Sequence, residues 1–269
     1  MVVDSPYLVQ PGRKFRLSDR SPGDTGDFKN KAAAVGPTQA NLEQLDGLQE
    51  LLYAEAKHAL LVVVQAMDTG GKDGAIEHVF SGLDPQGCTV TNFKVPTPLE
   101  RAHDFLWRCH TAVPPAGMIG IFNRSHYEAV LVERVAGIAP SEVWSRRYVH
   151  INNFERLLAD EGTTILKFYL HISRDEQKKR LQARLDDPQK QWKFNAGDLE
   201  TRKQWDDYAG AYQDLLRECS TAHAPWYVVP SNRKWFRNWV ISDTIVRTLK
   251  KLKMTYPKPT PGLDRIVIE

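Results

Sequence analysis

From residue 59 the chain reads ALLVVVQA, almost continuously apolar, with Gln65 as its polar position. So short a valine-rich run predicts a strand buried on both faces. Similar runs recur at CTVTNFKVP (88–96), GMIGIFNR (117–124), TTILKFYLHIS (163–173) and PWYVVPSN (225–232). The stretches between them carry helical patterns. AIEHVFSGL follows the first run and LERAHDFLWRCHTAV (99–113) the second; a helix is expected from about Tyr127 after the third. A long basic helical region follows the fourth, and a helix through NWVISDTIVRTLKKL follows the fifth. Ahead of the first strand, Leu42, Leu45, Leu48, Leu51 and Leu52 fall at helical spacing from about Gln39. Residues 1 to about 40 show little periodicity and are expected to form an extended arm, partly helical from Phe28 to Ala34. Strand and helix in alternation predict an α/β fold, a five-stranded parallel sheet flanked by helices. In such sheets ligands bind beyond the carboxyl ends of the strands.

The whole chain of 269 residues suits one domain, with residues 1–40 as the arm. No apolar run approaches the eighteen or so residues of a membrane helix, and the N-terminus lacks the apolar region of a cleaved signal. Cys88, Cys109 and Cys219 lie far apart and form no CxxC, which fits a reducing cytoplasm. A net charge of +3 is too small to announce a nucleic-acid partner, although cations cluster between Arg174 and Lys203.

Candidate chemistry begins directly after the first strand, at MDTGGKDG. A phosphate loop surrounds phosphate oxygens with backbone N–H groups from a glycine-rich turn at a helix N-terminus. Gly70, Gly71 and Gly74 supply glycine between strand and helix, and Lys72 is placed to reach phosphate. The usual loop opens on Gly and follows its Lys with a metal-binding hydroxyl. Here Ala66 and Asp73 occupy those positions, and Asp68 adds a carboxylate. Two carboxylates around one lysine, beside a polyanion, suggest a site that takes metal, with Asp68 and Asp73 as its ligands. The plainer reading is a glycine-rich turn that binds nothing.

Two further stretches follow strand ends. In GIFNRSHYEAV, Asn123 ends the third strand where phosphate-loop enzymes usually carry Asp. Arg124 is suited to bidentate phosphate contact. Glu128 lies three residues after Ser125, so the pair also reads as a capping box. In SRDEQKKRLQARLDDPQKQWKF, Arg180 and Arg184 share a helix face, and with Lys193 they form a candidate phosphate lid over about 174–205. A solvated surface helix accounts for the same charges. Trp192 and Trp205 are candidates for stacking on a base, though tryptophans more often serve as core.

Taken together, MDTGGKDG, FNRSHYE, SRDEQKKRLQARLDDPQKQWKF and WDDYAGAYQDLLRECSTAHAPWYVVPSNRKW resemble the type-2 polyphosphate kinases, from RKFRLSDR to the C-terminal helix. The resemblance implies a thymidylate-kinase-like P-loop fold with a helical lid, and Mg²⁺-dependent phosphoryl transfer between inorganic polyphosphate and a nucleotide. By position, Asp68, Gly70, Gly71, Lys72, Asp73 and Gly74 match the family's phosphate loop, Arg124 its second-motif arginine, and Arg180 and Arg184 its lid arginines. Many members read Asp-Arg-Ser-Trp-Tyr-Asn where this chain reads Asn-Arg-Ser-His-Tyr-Glu, which leaves more of the metal-holding to Asp68. The NRSHYE form resembles the subgroup called class III, whose members phosphorylate both AMP and ADP; Glu128 and Asn123 then bear on nucleotide choice. A homo-oligomer, dimer or tetramer, is also implied. Arg13, Lys14, Arg16, Lys94 and Arg101 are candidates for a polyphosphate track. An ATP-dependent nucleoside monophosphate kinase would keep Gly at 66 and a hydroxyl at 73. A non-catalytic polyanion-binding module would not need the two carboxylates.

Overall fold

In the computed structural model, residues 2–263 and 266–268 are described. The chain runs α1 (Lys31–Glu55), β1 (Ala59–Ala66), α2 (Lys72–Phe80), β2 (Cys88–Asn92), α3 (Pro98–Arg101), α4 (Trp107–His110) and β3 (Ile119–Asn123). It continues through α5 (Val132–Val135), α6 (Ser141–Asp160), β4 (Thr163–His171), α7 (Arg174–Asp186), α8 (Gly197–Lys203), α9 (Trp205–Glu218), β5 (Trp226–Pro230) and α10 (Lys234–Lys251). The strands form one parallel sheet of order β2-β3-β1-β4-β5. This is the expected five-stranded parallel sheet flanked by helices.

β1 sits at the centre, with Val64 paired to Asn123 on β3 and to Phe168 on β4. Its residues alternate between two cores. Leu60, Val62, Val64 and Ala66 pack with α1, α2 and α10, while Leu61 and Val63 pack with α6 and α9. Each Leu or Val so buried contributes about 1.5–3 kcal/mol, so the strand that leads into the loop is firmly held. β2 is an edge strand and half exposed. The other edge, β5, is covered by the N-terminal arm. Val9 N–H donates to the Trp226 carbonyl (2.9 Å), and Val228 N–H donates to the Tyr7 carbonyl (2.8 Å). The arm is therefore extended as expected, but Val3, Tyr7, Leu8 and Val9 are buried. It is held by backbone pairing along a sheet edge, which carries no helical periodicity.

Three helical expectations differ. The helical piece at 28–34 and the leucine helix are one helix, α1, because Asn30 caps its start by accepting from Ala33 N–H (3.0 Å). Pro37 lies inside it at the loss of one backbone hydrogen bond, and burial of Ala34, Thr38, Leu45 and Leu52 carries the helix through. The 99–113 helix is two single turns, α3 and α4. Between them the Asp104 carboxylate accepts from Leu106 N–H (2.9 Å) and ends the first turn. The helix expected from Tyr127 is a 3₁₀ turn, His126–Val130, followed by short α5; the long helix, α6, begins only after Gly137 (φ 66°) and Pro140.

A buried ionic network lies beneath that 3₁₀ turn. Lys167 on β4 donates to Tyr127 Oη (2.7 Å), Glu155 Oε2 (2.6 Å) and the Cys219 carbonyl (2.7 Å), satisfying all three ammonium hydrogens. Glu155 Oε1 also accepts from Tyr127 Oη (2.8 Å) and lies 3.2 Å from His126 Nε2. Burial acts to raise the Glu155 carboxyl, but Lys167 and His126 outweigh it and hold it below the usual range. Removing one partner strands the other charge, whereas removing both does not. Lys167→Met is expected to cost about 3–5 kcal/mol in urea unfolding. Lys167→Met with Glu155→Leu is expected to recover much of that loss; equal losses in the single and double variants would contradict the account.

Candidate active site

The loop from Met67 to Gly71 leaves β1 and turns into α2. Two of its residues are left-handed, Thr69 at φ 60° and Gly71 at φ 95°. Threonine is β-branched and disfavours that region, so the loop is strained at Thr69. At Gly70 a Cβ would lie 2.4 Å from Ala66 Cβ, and at Gly71 2.3 Å from Arg237 Nη1, so both positions exclude a side chain. Gly74 is different. It lies within α2 without a positive φ, and a Cβ there would only touch Arg237 Nη2 at 3.9 Å, so it does not supply the backbone freedom expected of it. Gly71 is the N-cap of α2 and offers no side-chain cap, and the first hydrogen bond of the helix runs from Ala75 N–H to the Gly71 carbonyl (3.0 Å). The N–H groups of Lys72, Asp73 and Gly74 are thus first-turn donors at a positive helix end.

Lys72 Nζ lies 3.3 Å from the Ala66 carbonyl. Burial and Arg124 lower its pKa, against the pull of Asp68, Glu128 and Asp73. Both carboxylates expected as metal ligands therefore act on the one ammonium group. Asp73 also accepts from Asn123 Nδ2 (2.7 Å), and the same amide donates to Asn92 Oδ1 (2.7 Å). β2 and β3 end opposite one another at Asn92 and Asn123, which brings this trio together. Asn123 is accordingly a hydrogen-bond donor that orients Asp73.

Arg124 follows at φ 62°, its N–H donating to the Val64 carbonyl (3.1 Å). Its guanidinium lies 3.7 Å from Asp68 Oδ1. Burial acts to lower its pKa, but the Glu128 and Asp68 carboxylates outweigh it, so it stays cationic. The capping-box reading of Glu128 does not hold. Ser125 Oγ accepts from Tyr127 N–H (3.2 Å), and the Glu128 carboxyl instead neighbours Arg124, Lys72 and Gln65. Burial raises its pKa.

In the expected lid, α7 is followed by a 3₁₀ turn at Gln191–Lys193 and by α8. Arg180 reaches the loop from behind. Its Nη1 donates to the carbonyls of Thr69 (3.1 Å) and Gly70 (3.0 Å), Nη2 to the Ser231 carbonyl (2.5 Å) and Nε to Glu176 (2.8 Å). Arg184 does not join it, donating instead to the Lys193 carbonyl and Asp198 Oδ2 (both 3.1 Å). Lys193 is exposed, with its ammonium 4.9 Å from the Trp192 ring centre. Trp192 is 77% exposed, whereas Trp205 packs against the core. Arg13, Lys14, Arg16, Lys94 and Arg101 are all exposed.

Sequence reasoning missed Asn92, Asp198 and Arg237. Burial and Asp68 raise the Asp198 carboxyl, against Arg184, so α8 faces the loop. Arg237 was visible as a charged residue among the apolar positions of a core helix, a placement that is rare without a partner. For a divalent metal the donor set fits. Asp68 and Asp73 offer hard carboxylate oxygens, and among the described residues no group of three or more His, Cys, Asp or Glu forms a protein cage. A small divalent cation that takes one or two carboxylates and completes its shell with phosphate and water matches that arrangement.

A family profile described as Polyphosphate kinase 2 matches residues 29–257. The chain belongs to the type-2 polyphosphate kinases. It is 55% identical to an AMP/ADP-polyphosphate phosphotransferase of Meiothermus ruber, covering 98% of this chain and 99% of that one. It is 44% identical to an ADP-polyphosphate phosphotransferase of Rhodopseudomonas palustris over 96% of each. The crystal structure of Polyphosphate Kinase 2 from Arthrobacter aurescens TC1 superposes with a TM-score of 0.91, at 43% identity and 98% coverage of both chains. No helix among the described residues is long and apolar enough to cross a membrane.

In this polyphosphate kinase burial raises the Glu128 carboxyl, against Arg124 and Lys72, and that direction sets how its stability depends on pH. A carboxyl whose folded pKa exceeds its unfolded value favours the fold below the unfolded pKa and loses that contribution as pH rises through the folded pKa. Glu128→Gln is therefore expected to match the wild-type melting temperature near pH 4 and to exceed it near pH 8. Thermal melts across that range test the sign; a variant less stable than wild type at pH 8 would contradict it.

Proposed function

We propose that this chain catalyses Mg²⁺-dependent transfer of a phosphoryl group from inorganic polyphosphate to AMP and ADP. The observation that carries the reading is the pair of carboxylates, Asp68 and Asp73, acting on one phosphate-loop lysine with Arg124 alongside. The names of the Meiothermus and Rhodopseudomonas relatives support the donor and the acceptors. A nucleotide phosphate has its second ionisation near pH ~6, so at neutral pH the acceptor is already a nucleophile and no strong base is needed. The chief obstacle is repulsion between two polyanions. Lys72, Arg124 and the first-turn N–H groups of α2 supply positive charge at the carboxyl end of β1, where the transferring phosphoryl group gathers negative charge. Arg184 and Lys193 lie together in the α7–α8 segment, where Arg184 is held by Asp198, and serve as the cations of a lid in this reading. Asp68 and Asp73 would hold Mg²⁺, whose charge would offset that of the phosphate oxygens. Glu128 stands against Arg124 and favours one acceptor length over another through that cation. Asp73, oriented by Asn123, completes the polar rim.

Incubation with polyphosphate and Mg²⁺, separately with AMP, ADP and GDP, followed by chromatography of the products, tests the reading. ADP and ATP are the expected products from AMP; no di- or triphosphate from any acceptor would overturn it. Asp68→Asn is expected to lower turnover by several orders of magnitude with an unchanged circular-dichroism spectrum, and wild-type turnover would remove Asp68 from the chemistry. Glu128→Asn is expected to change the ratio of AMP to ADP use. An unchanged ratio would end its role in acceptor choice.

A further inference from the structure

The carbonyls of Thr69, Gly70 and Gly71 are taken up by two arginines. Arg180, from α7, holds the first two, and Arg237, from α10, donates Nη1 to the third (2.9 Å). In a planar trans peptide the C=O and the following N–H point in opposite directions. Fixing the Gly70 carbonyl on Arg180, and the Gly71 carbonyl on Arg237 and on the Ala75 N–H (3.0 Å), therefore fixes the N–H groups of Gly71 and Lys72 on the opposite side.

Arg237 is itself rigidly held. It is 2% exposed, and Asn238 Oδ1 accepts from its Nε (3.0 Å) and Nη2 (2.7 Å). A Cβ on Gly71 would sit 2.3 Å from Arg237 Nη1 and 3.4 Å from Arg180 Nη1, so both guanidiniums press on one glycine. Arg180 has Glu176 as a counter-charge, whereas the acceptors of Arg237 are a carbonyl and an amide, both neutral. Burial, and then Arg180, lower the Arg237 pKa to about 10, which leaves it charged at neutral pH. A buried cation without a carboxylate is costly alone and is stabilised by an anion nearby. The Lys72 N–H that its hydrogen bond aims is a first-turn donor of α2, suited to such an anion.

We propose that Arg237 is a positioning residue of the phosphate loop, acting through the Gly71 carbonyl to aim the Lys72 N–H group at the polyphosphate donor, while Arg180 sets the Gly71 N–H through the Gly70 carbonyl. The choice of donor rests on the proposed function; the loop geometry does not.

The test combines steady-state kinetics with thermal shift in inorganic tripolyphosphate. Arg237→Met is expected to raise the KM for polyphosphate about ten-fold, since a hydrogen bond to a charged group is lost. The KM for nucleotide is expected to stay within about two-fold, and the melting-temperature rise given by tripolyphosphate to shrink. Arg237→Lys, which keeps the charge, is expected to recover part of both. A purely structural residue would lower the melting temperature yet leave the polyphosphate KM and the tripolyphosphate shift unchanged, and that result would overturn the proposal. Should Arg237→Met not fold, Asn238→Ala keeps the guanidinium and removes its clamp; the same split, smaller, is expected, and its absence would overturn the proposal equally. A wild-type protein stabilised by ATP but not by tripolyphosphate would overturn the donor assignment alone. The same variants scored against ATP then decide the role of Arg237.

Discussion

A strand buried on both faces ends at Ala66, and the backbone beyond it is held in angles that an isolated chain would avoid. Thr69 and Arg124 are non-glycine residues at positive φ, each costing about 1–3 kcal/mol, and Gly71 admits no side chain. Such strain persists only where the surroundings over-determine it. Here the ladder of β1 with β3 and β4, and the two cores it divides, fix the strand end from which loop and motif depart. Arg124 is placed by the last rung of that ladder, through its N–H on the Val64 carbonyl. The active-site geometry is thus a consequence of hydrophobic burial several residues upstream.

Charge is the second constraint. Three of the arginines in and around the site have carboxylate neighbours, Arg124 with Asp68, Arg184 with Asp198 and Arg180 with Glu176, whereas Arg237 has neutral acceptors. These pairs are not equivalent. Arg180 is 11% exposed and makes further bonds to three carbonyls, so it behaves as part of the scaffold. Arg124 is 43% exposed, and its 3.7 Å separation from Asp68 is loose. A partly solvated pair of that length is worth little, about 0–1 kcal/mol. So weak a pair leaves both groups free to take other partners, as the proposed reaction requires of them. The two guanidiniums that look alike on the α7 face, Arg180 and Arg184, are divided by the same reasoning into a clasp behind the loop and a contact within the α7–α8 segment.

Much of this was legible in the residues. Five short apolar runs separated by helical patterns translate directly into a parallel sheet, because burial on both faces leaves no alternation. The loop and the NRSHYE motif were legible because they follow strand ends, where backbone direction is set locally. What escaped depends on long-range contact. The arm's burial comes from backbone pairing with β5, which leaves no mark on side-chain pattern. The breaks at Asp104 and after Gly137 come from local side-chain and turn competition within helical composition. Arg237 lies 166 residues from Gly71, and only the folded packing of α10 against the loop joins them.

Position 123 shows how the two constraints meet. At the end of β3, a side chain here must face both Asn92 and Asp73. Asp73 is an acceptor, so a donor opposite it is favourable, and Asn123 supplies two N–H hydrogens from one nitrogen to both neighbours. A carboxylate at 123 would set two like charges within hydrogen-bond distance and would require a cation between them. With the amide, the protein orients Asp73 by its own hydrogen bond, and one negative charge fewer opposes the approach of phosphate. The departure from the usual aspartate therefore keeps the carboxylate in the loop, on Asp73, and turns the strand end into its support.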